Sequence, residues 1–524
     1  MRSSTFLTTL TVAMLLPGLC PAQDNSWGLS ARAINRILEQ ATWGPTLTPP
    51  GTLQHRGFPD WFAEQINAPV STYPDQPMYD STGKNNNNLQ PVQAAFFQNA
   101  LNGPDQLRQR VAFAVSEIWV VSDLGGVPYA AAFPPLFNTF QNDAFANYEQ
   151  LMKDVTLNPA MGRYLNMVNN DKGNPAKGTA ANENYAREIM QLFTLGLTQL
   201  NMDGSPVLDG SGNRIPTYTQ TTVTTLAKAF TGWTYPPMPG AVTRGHNPTY
   251  YLGAMAPVEA NHDTTEKELF PGFTLAAGGT AEADLTGAIH AIFMQPSLPP
   301  FVSKQLIQHL TTSNPSPAYI QRVASVFADN GSGMRGDMVR VVYATLTDPE
   351  ARAGDDAGVI DAPGYGHMRE PILFVLNLLR GLGGSISNTS TVSNFTGQLG
   401  QTLFYAPSVF SFFSPQYRLP DGTPAPEFQI YSTQSAVNRA NLVNSAVYAG
   451  RFDSGTTFNI SPYIAAANQD SLVALINTVF FHGDMSDAVK NAVNQAASAV
   501  SAPSDKAKAA LYVALTSGEY QVIH

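Results

Sequence analysis

Apolar side chains in this chain return every three or four residues over most of its length, and little of it alternates. That spacing is one face of an α-helix, and it leaves few segments for strands. In "ARAINRILEQATWG" it puts Ile34, Ile37, Leu38 and Ala41 on one side before Gly44-Pro45 stops the helix. In "PDQLRQRVAFAVSEIWVVS" Pro104-Asp105 opens a helix to Ser122, with Leu107, Val111, Ala114, Val115 and Ile118 along one side. The same reading predicts helices over 142–156, 183–196, 219–231, 283–294, 316–329, 334–347, 368–381, 432–449, 470–481 and, with a break, 486–517. The clearest strand signal is "SPVLDGSGNRIPTY" (205–218), two short extended pieces about the turn residues Asp209-Gly210 and Gly212-Asn213. The expected fold is mainly α: a multi-helix, bundle-like single body of two packed lobes with a minor β-hairpin. Residues 23–280 form the expected N-terminal helical lobe, with the hairpin and a long irregular region at 234–280. Residues 281–524 form the C-terminal helical lobe, with "GLGGSISNTSTVSNFTG" (381–397) as a surface loop.

The first 22 residues have the layout of a secretory signal peptide. Arg2 is the positive start, Phe6 to Leu16 the apolar stretch, and Cys20-Pro21-Ala22 the small-residue site before Gln23. The competing reading is lipidation of Cys20, but Leu19 stands where a lipobox needs a small residue. Cys20 is the chain's single cysteine, so the mature chain has none. Disulfides, thiolate catalysis, iron–sulfur clusters and cysteine-held zinc are excluded together. No later run of about 18 apolar residues is long enough for a transmembrane helix. The expected location is the periplasm or the cell exterior.

Acidic residues outnumber basic ones 39 to 29, for a formal net charge of −10. That balance disfavours nucleic acid and anionic membrane as partners, since both need a basic footprint. The chain also lacks the G-x-S-x-G elbow, H-E-x-x-H, the phosphate-binding G-x-x-x-x-G-K-[ST] and a G-x-G-x-x-G after a strand. No cofactor is named by any motif.

Two polar stretches merit weighing as sites. In "ENYAREIMQLFTLG" (183–196) Asn182 caps a helix, Glu183 and Arg187 stand at i,i+4, and Glu188 adjoins the arginine. A solvated, salt-bridged face accounts for this. Two carboxylates about one arginine also suit general acid–base work, and the flexible segment 169–182 would carry the helix start to a cleft. In "NHDTTEKE" (261–268) Asp263 would orient His262 as a base, or the two would share a divalent ion, although no metal-ligand set is assigned. The bland alternative is a surface turn capped by aspartate. Trp233 and Tyr235 in the same irregular region, with Lys267, form the expected sugar-binding surface, although such aromatics more commonly pack. "DGSGN" (209–213) begins like a calcium loop, but Arg214 and Gln220 stand where glycine and an acid are required, so it reads as a turn. Arg369-Glu370 in "MREPIL" reads as an ion pair at a helix start.

Many blocks together carry a resemblance: "ARAINRILEQATWGPT", "DQLRQRVAFAVSEIWVVS", "DVTLNPAMGRYL", "NENYAREIMQLFTLGL", "TYTQTTVTTLAKAFTGWT", "SKQLIQHLTTSNPSPAYIQRVASVFADNG", "RGDMVRVVYATLTDPEAR", "HMREPIL" and "PSVFSFFSPQY". In these the chain resembles the domain-of-unknown-function family 1800 over nearly all of its mature length. Departures are small: Lys228 stands where arginine is common, and His367-Met368 where Lys-Leu is common. The resemblance implies a large, exported bacterial protein and brings no established activity. Two functional classes therefore stay open. One is an extracellular or periplasmic hydrolase or lyase acting on polysaccharide or another envelope polymer, with Glu183, Arg187, Glu188, His262 and Asp263 as its acid–base set. The other is a non-catalytic binding or assembly protein. Convergence of those five residues in one concave pocket is the discriminating observation.

Overall fold

Local chemistry sets most helix starts. Ser30 opens Ala31–Ala41 by accepting the Ala33 N–H at 3.1 Å. Asn147, Asn158, Ser316 and Asp337 act in the same way for Tyr148–Leu157, Pro159–Tyr164, Pro317–Ala328 and Met338–Thr347. Each such cap contributes about 1 kcal/mol. Elsewhere proline occupies the first turn, where its missing N–H has no helical partner to lose. Phe58–Asn67, Gln90–Asn102, Phe133–Asp143 and Leu298–Leu310 begin in this way.

The computed structural model describes residues 29–356 and 364–524. The expected signal segment 1–22, with Cys20, lies outside the described residues. Within them are 22 α-helices and only short strands, in four two-stranded antiparallel pairs. The protein is mainly α. None of the described helices is long and apolar enough to cross a membrane.

The expected helices form, but the one expected to reach Ser122 stops at Ile118, the one expected over 142–156 begins at Tyr148, and two others change type. The stretch 183–196 is one turn of α-helix, Asn184–Glu188, continued as a π-helix over Ile189–Thr194. The stretch 432–449 likewise changes from α over Thr433–Asn444 to π over Ser445–Ala449. The four helices opened by proline were not expected. The expected hairpin is part of a three-armed meander: Val207 and Ile215 bond across it, and Gln199 in the arm before it accepts the Val207 N–H. The irregular 234–280 region contains more order than expected. Trp233–Thr234 pairs with Ala256–Pro257, and Lys267–Phe270 forms a bulged hairpin with Phe273–Leu275. The 381–397 stretch is not a plain loop. Ser385–Ile386 pairs with Thr456–Thr457, Val392–Gly397 is helical, and Ser390 and Thr396 are buried.

Two helices sit at the centre. Every residue of Pro371–Gly381 is buried, as are eleven of the thirteen in Gln106–Ile118. A helix buried on all sides must satisfy its own polar residues internally, because the cost of leaving them unpaired is high. The second central helix carries Arg108, Gln109, Arg110 and Glu117 into the interior. The hydrophobic core is continuous from Ile34 to Ile523. The chain end is stitched to the middle by Val522–Ile523, which pairs with His367–Met368 just before the first central helix.

Candidate active site

Gln191 and Leu192 of the π-helix, and Leu195 just after it, line a cavity of about 600 Å³. Its second wall is one face of helix Leu298–Leu310, where Phe301, Lys304, Gln305 and Gln308 follow the i, i+3, i+4, i+7 rule. Phe410, Ser411 and Phe413 from the 409–416 segment and Arg418 close a third side, and the meander adds Arg214. Gly196 completes the rim with φ +74°, and a Cβ there would lie 3.0 Å from the Phe301 ring.

Glu117, His309 and Glu427 form the floor. Behind them lie Glu370, Gln401, Ser313, Arg110 and His367, all buried. The Gln401 amide donates to both Glu117 (3.1 Å) and Glu370 (2.6 Å), and its own carbonyl accepts the Ile372 N–H at 2.8 Å. Ser313 donates its hydroxyl to Glu427 at 2.7 Å. Nδ1 of His309 lies 3.2 Å from Oε2 of Glu117. That approach is short but out of line for a hydrogen bond, and Oε2 has no hydrogen-bond partner among the described residues. Gln305 also reaches the cavity with Nε2 unpartnered.

Burial dominates the electrostatics here. It pushes Glu117, Glu370 and Glu427 each up to about 8, and the like charge of Glu117 adds to the effect on Glu370. It pushes His309 down to about 4 and His367 down to about 3. Arg110, which donates to the His309 carbonyl oxygen, is the fixed cation of the group. At neutral pH the floor thus offers protonated carboxyls beside an uncharged imidazole. A proton donor and a proton acceptor held side by side are the components of acid–base catalysis.

The Arg369-Glu370 ion pair expected at this helix start does not form. Consecutive residues in extended backbone project to opposite sides, and Glu370 is extended at φ −58°, ψ 158°. Arg369 turns to Glu39 at 2.8 Å, while Glu370 joins the floor. Burial opposes ionisation of Glu39, but Arg369 and His482 prevail and hold it at about 2.

The family model described as protein of unknown function, DUF1800, matches residues 36–522. The chain belongs to that family. A search of curated proteins and a search of solved structures each gave no significant match. The blocks by which the chain resembles DUF1800 supply most of the cavity. "DQLRQRVAFAVSEIWVVS" brings Glu117, with Arg110 behind it, and "SKQLIQHL" brings Lys304, Gln305 and His309. "PSVFSFFSPQY" brings Phe410 and Phe413, and "HMREPIL" puts Glu370 behind the floor.

The residues singled out from sequence are distributed differently. None of Glu183, Arg187, Glu188, Trp233, Tyr235, His262, Asp263 and Lys267 is among the described residues lining this cavity. Glu183 and Arg187 pair at 3.0 Å on a face that is about one-third exposed. Glu183 is held below its ordinary range by the Thr224 hydroxyl first, then by Gln220 and Arg187. Glu188 is half-buried and raised by that burial, with Oε2 unpartnered.

His262, Asp263 and Lys267 do come together, but inside the protein. His262 and Lys267 are both 0% exposed. Nδ1 of His262 faces the Thr231 carbonyl at 2.9 Å, and Nε2 faces Asp284 at 3.1 Å. The Thr231 hydroxyl also lies 3.3 Å from Nδ1, so both ring nitrogens are engaged by partners inside the protein. Lys267 donates to the same Asp284 oxygen at 2.6 Å and to backbone carbonyls of Asp263 and Thr265. Although burial pushes Asp263 up, its bonds to Thr265 and the nearby lysines bring it below its ordinary range. Trp233 and Tyr235 are buried, Tyr235 edge-on to Tyr251 at 5.9 Å. Among the described residues no group of three His, Cys, Asp or Glu side chains is arranged to hold a metal ion.

Glu117 had a signal in the sequence. It is the one acid in the apolar run "VAFAVSEIWVV", where a carboxyl has no ordinary reason to sit. His309 and Glu427 had none, because only the fold brings them to Glu117.

Proposed function

We propose that this chain is an exported hydrolase or lyase acting on polysaccharide or another envelope polymer, with its chemistry in the cavity floored by Glu117, His309 and Glu427. One observation carries the reading: the Glu117 carboxyl and the His309 imidazole stand 3.2 Å apart at the bottom of a ligand-sized cavity, where burial favours the uncharged form of each. Glu117 would give its proton to the leaving oxygen as the C–O bond breaks. His309 would take a proton from water in hydrolysis, or from a ring carbon in elimination. Both routes balance without a further reactant. Phe301, Phe410 and Phe413 offer faces for the C–H sides of sugar rings.

The test is release of reducing ends or unsaturated products from a polysaccharide panel by purified mature protein. Turnover should fall below about pH 4, as His309 protonates, and above about pH 8, as Glu117 ionises. Glu117→Gln should abolish it while the protein remains folded. Full turnover in that variant would remove the floor from the mechanism. Binding of a glycan with no turnover by wild-type protein at any pH would support a binding protein instead.

A further inference from the structure

Charge is distributed unevenly in this cavity. The chain is acidic overall, yet the carboxyls among its lining residues are the two on the floor, Glu117 and Glu427. Around them stand three cations, Arg214, Lys304 and Arg418, contributed by the meander, helix Leu298–Leu310 and the 418–424 turn respectively. Among the described residues none of the three has an acidic partner within salt-bridge distance. Arg418 is anchored by the Gly422 carbonyl at 2.7 Å. Lys304 is only partly exposed, an expensive place for an ammonium without a counter-charge.

We propose that the cavity selects an anionic sugar chain, whose carboxylate or sulfate groups pair with Arg214, Lys304 and Arg418 while its rings lie against Phe301, Phe410 and Phe413. This rests on the enzymatic reading above for its polymer and deepens it to a substrate class. Burial and the like charge of Arg418 both push Lys304 below its ordinary range, so the rim repels itself until an anion arrives. Phe410 is 43% exposed, which leaves its ring open to a ligand in the cavity. Gln305 also lines the cavity, 8% exposed, between Lys304 and Gln308 on the same helix face. On an acidic protein, a local cationic rim also focuses the field that draws in a negative chain.

The test uses calorimetry with three oligosaccharides of equal length: an oligogalacturonate, a sulfated dextran oligomer and a neutral maltooligosaccharide. Both wild type and Glu117→Gln are titrated, so binding is read whether or not turnover occurs. At least one anionic oligomer should bind about tenfold or more tightly than the neutral one, with the preference shrinking at high salt. The carboxylated and sulfated arms identify which anion is preferred. Arg214→Gln, Lys304→Gln and Arg418→Gln should each weaken anionic binding several-fold, and the triple variant should erase the preference while leaving neutral binding unchanged. Equal or tighter neutral binding overturns the proposal, as does a triple variant that keeps the preference. Binding of inorganic polyphosphate but of neither anionic glycan also overturns it. Anionic binding without turnover would sink the enzymatic reading and leave this one standing. Turnover of neutral polymers alone would do the reverse.

Discussion

Glu117→Gln tests whether the cavity floor is neutral in the folded protein. Burial carries Glu117 from an ordinary value of 4.5 to about 8. Between those two values the unfolded chain has released its proton and the folded chain has kept it. The folded state therefore binds more protons, so this group's contribution to stability is full below pH 4.5 and is lost as pH rises towards 8. Each pH unit in that window is worth about 1.4 kcal/mol, giving a cost on the order of 3 kcal/mol at pH 7 as an upper bound. Repulsion between Glu117 and Glu370 couples their titration, so a single substitution recovers less than the whole. Glutamine has the same shape and ionises in neither state, so it removes the cost. Its amide oxygen can keep the bond from Gln401 at 3.1 Å, which places the new N–H₂ at the Oε2 position beside His309, a rearrangement that costs about 1 kcal/mol. The expected result is a variant about 1–2 kcal/mol more stable than wild type at pH 7 to 8, and equal or slightly weaker at pH 4.5. Guanidinium unfolding followed by far-UV circular dichroism at pH 4.5, 6, 7 and 8 measures it. If the variant is destabilised, and more so at pH 8 than at 4.5, Glu117 is an ionised partner of Arg110 and the neutral-acid reasoning fails.

Three further substitutions check the rest of the account. Asp284→Ala leaves Lys267 buried without its counter-charge and His262 Nε2 without its partner, and should cost about 3–5 kcal/mol in chemical denaturation; a loss under 1 kcal/mol would mean the cluster is not an ion network. Gly196→Ala combines a left-handed φ with a ring 3.0 Å from the new methyl. It should lower the melting temperature, by about 1–2 kcal/mol equivalent, and weaken ligand binding by crowding Phe301; an unchanged affinity would show that the ring moves freely. Arg187→Gln breaks a partly exposed i,i+4 pair and should change stability by no more than about 1 kcal/mol, with turnover unaffected. Loss of turnover there would return the chemistry to the Glu183 face.

The sequence by itself determined the class of fold and most of its helices, because helical burial is written locally. A side chain faces the core or solvent according to its place in a 3.6-residue turn, and caps such as Ser30 and Asn147 need only neighbours a few positions away. Helix Leu298–Leu310 was missed because Pro299-Pro300 reads as a break, although proline is harmless in a first turn, and so the wall carrying Lys304 and His309 went unseen. The short strand pairs were mostly missed for a different reason. Val522–Ile523 joins His367–Met368 across more than 150 positions, and two residues of extended chain leave no pattern to read.

The stretch 183–196 shows where local reading stops. Its charged face was legible, and Glu183 and Arg187 do pair. What the period could not show was the change to a π-helix at Ile189, or that Gln191 within it and Leu195 just after it line the cavity. Polar residues in "NHDTTEKE" looked available because polarity usually means water, yet Asp284, some 20 positions away, draws His262 and Lys267 fully inside. The floor itself was decided only by tertiary structure. Glu117, His309, Glu370 and Glu427 come from four separate segments. Their protonation follows from burial among one another, a property that no residue has until the chain has folded.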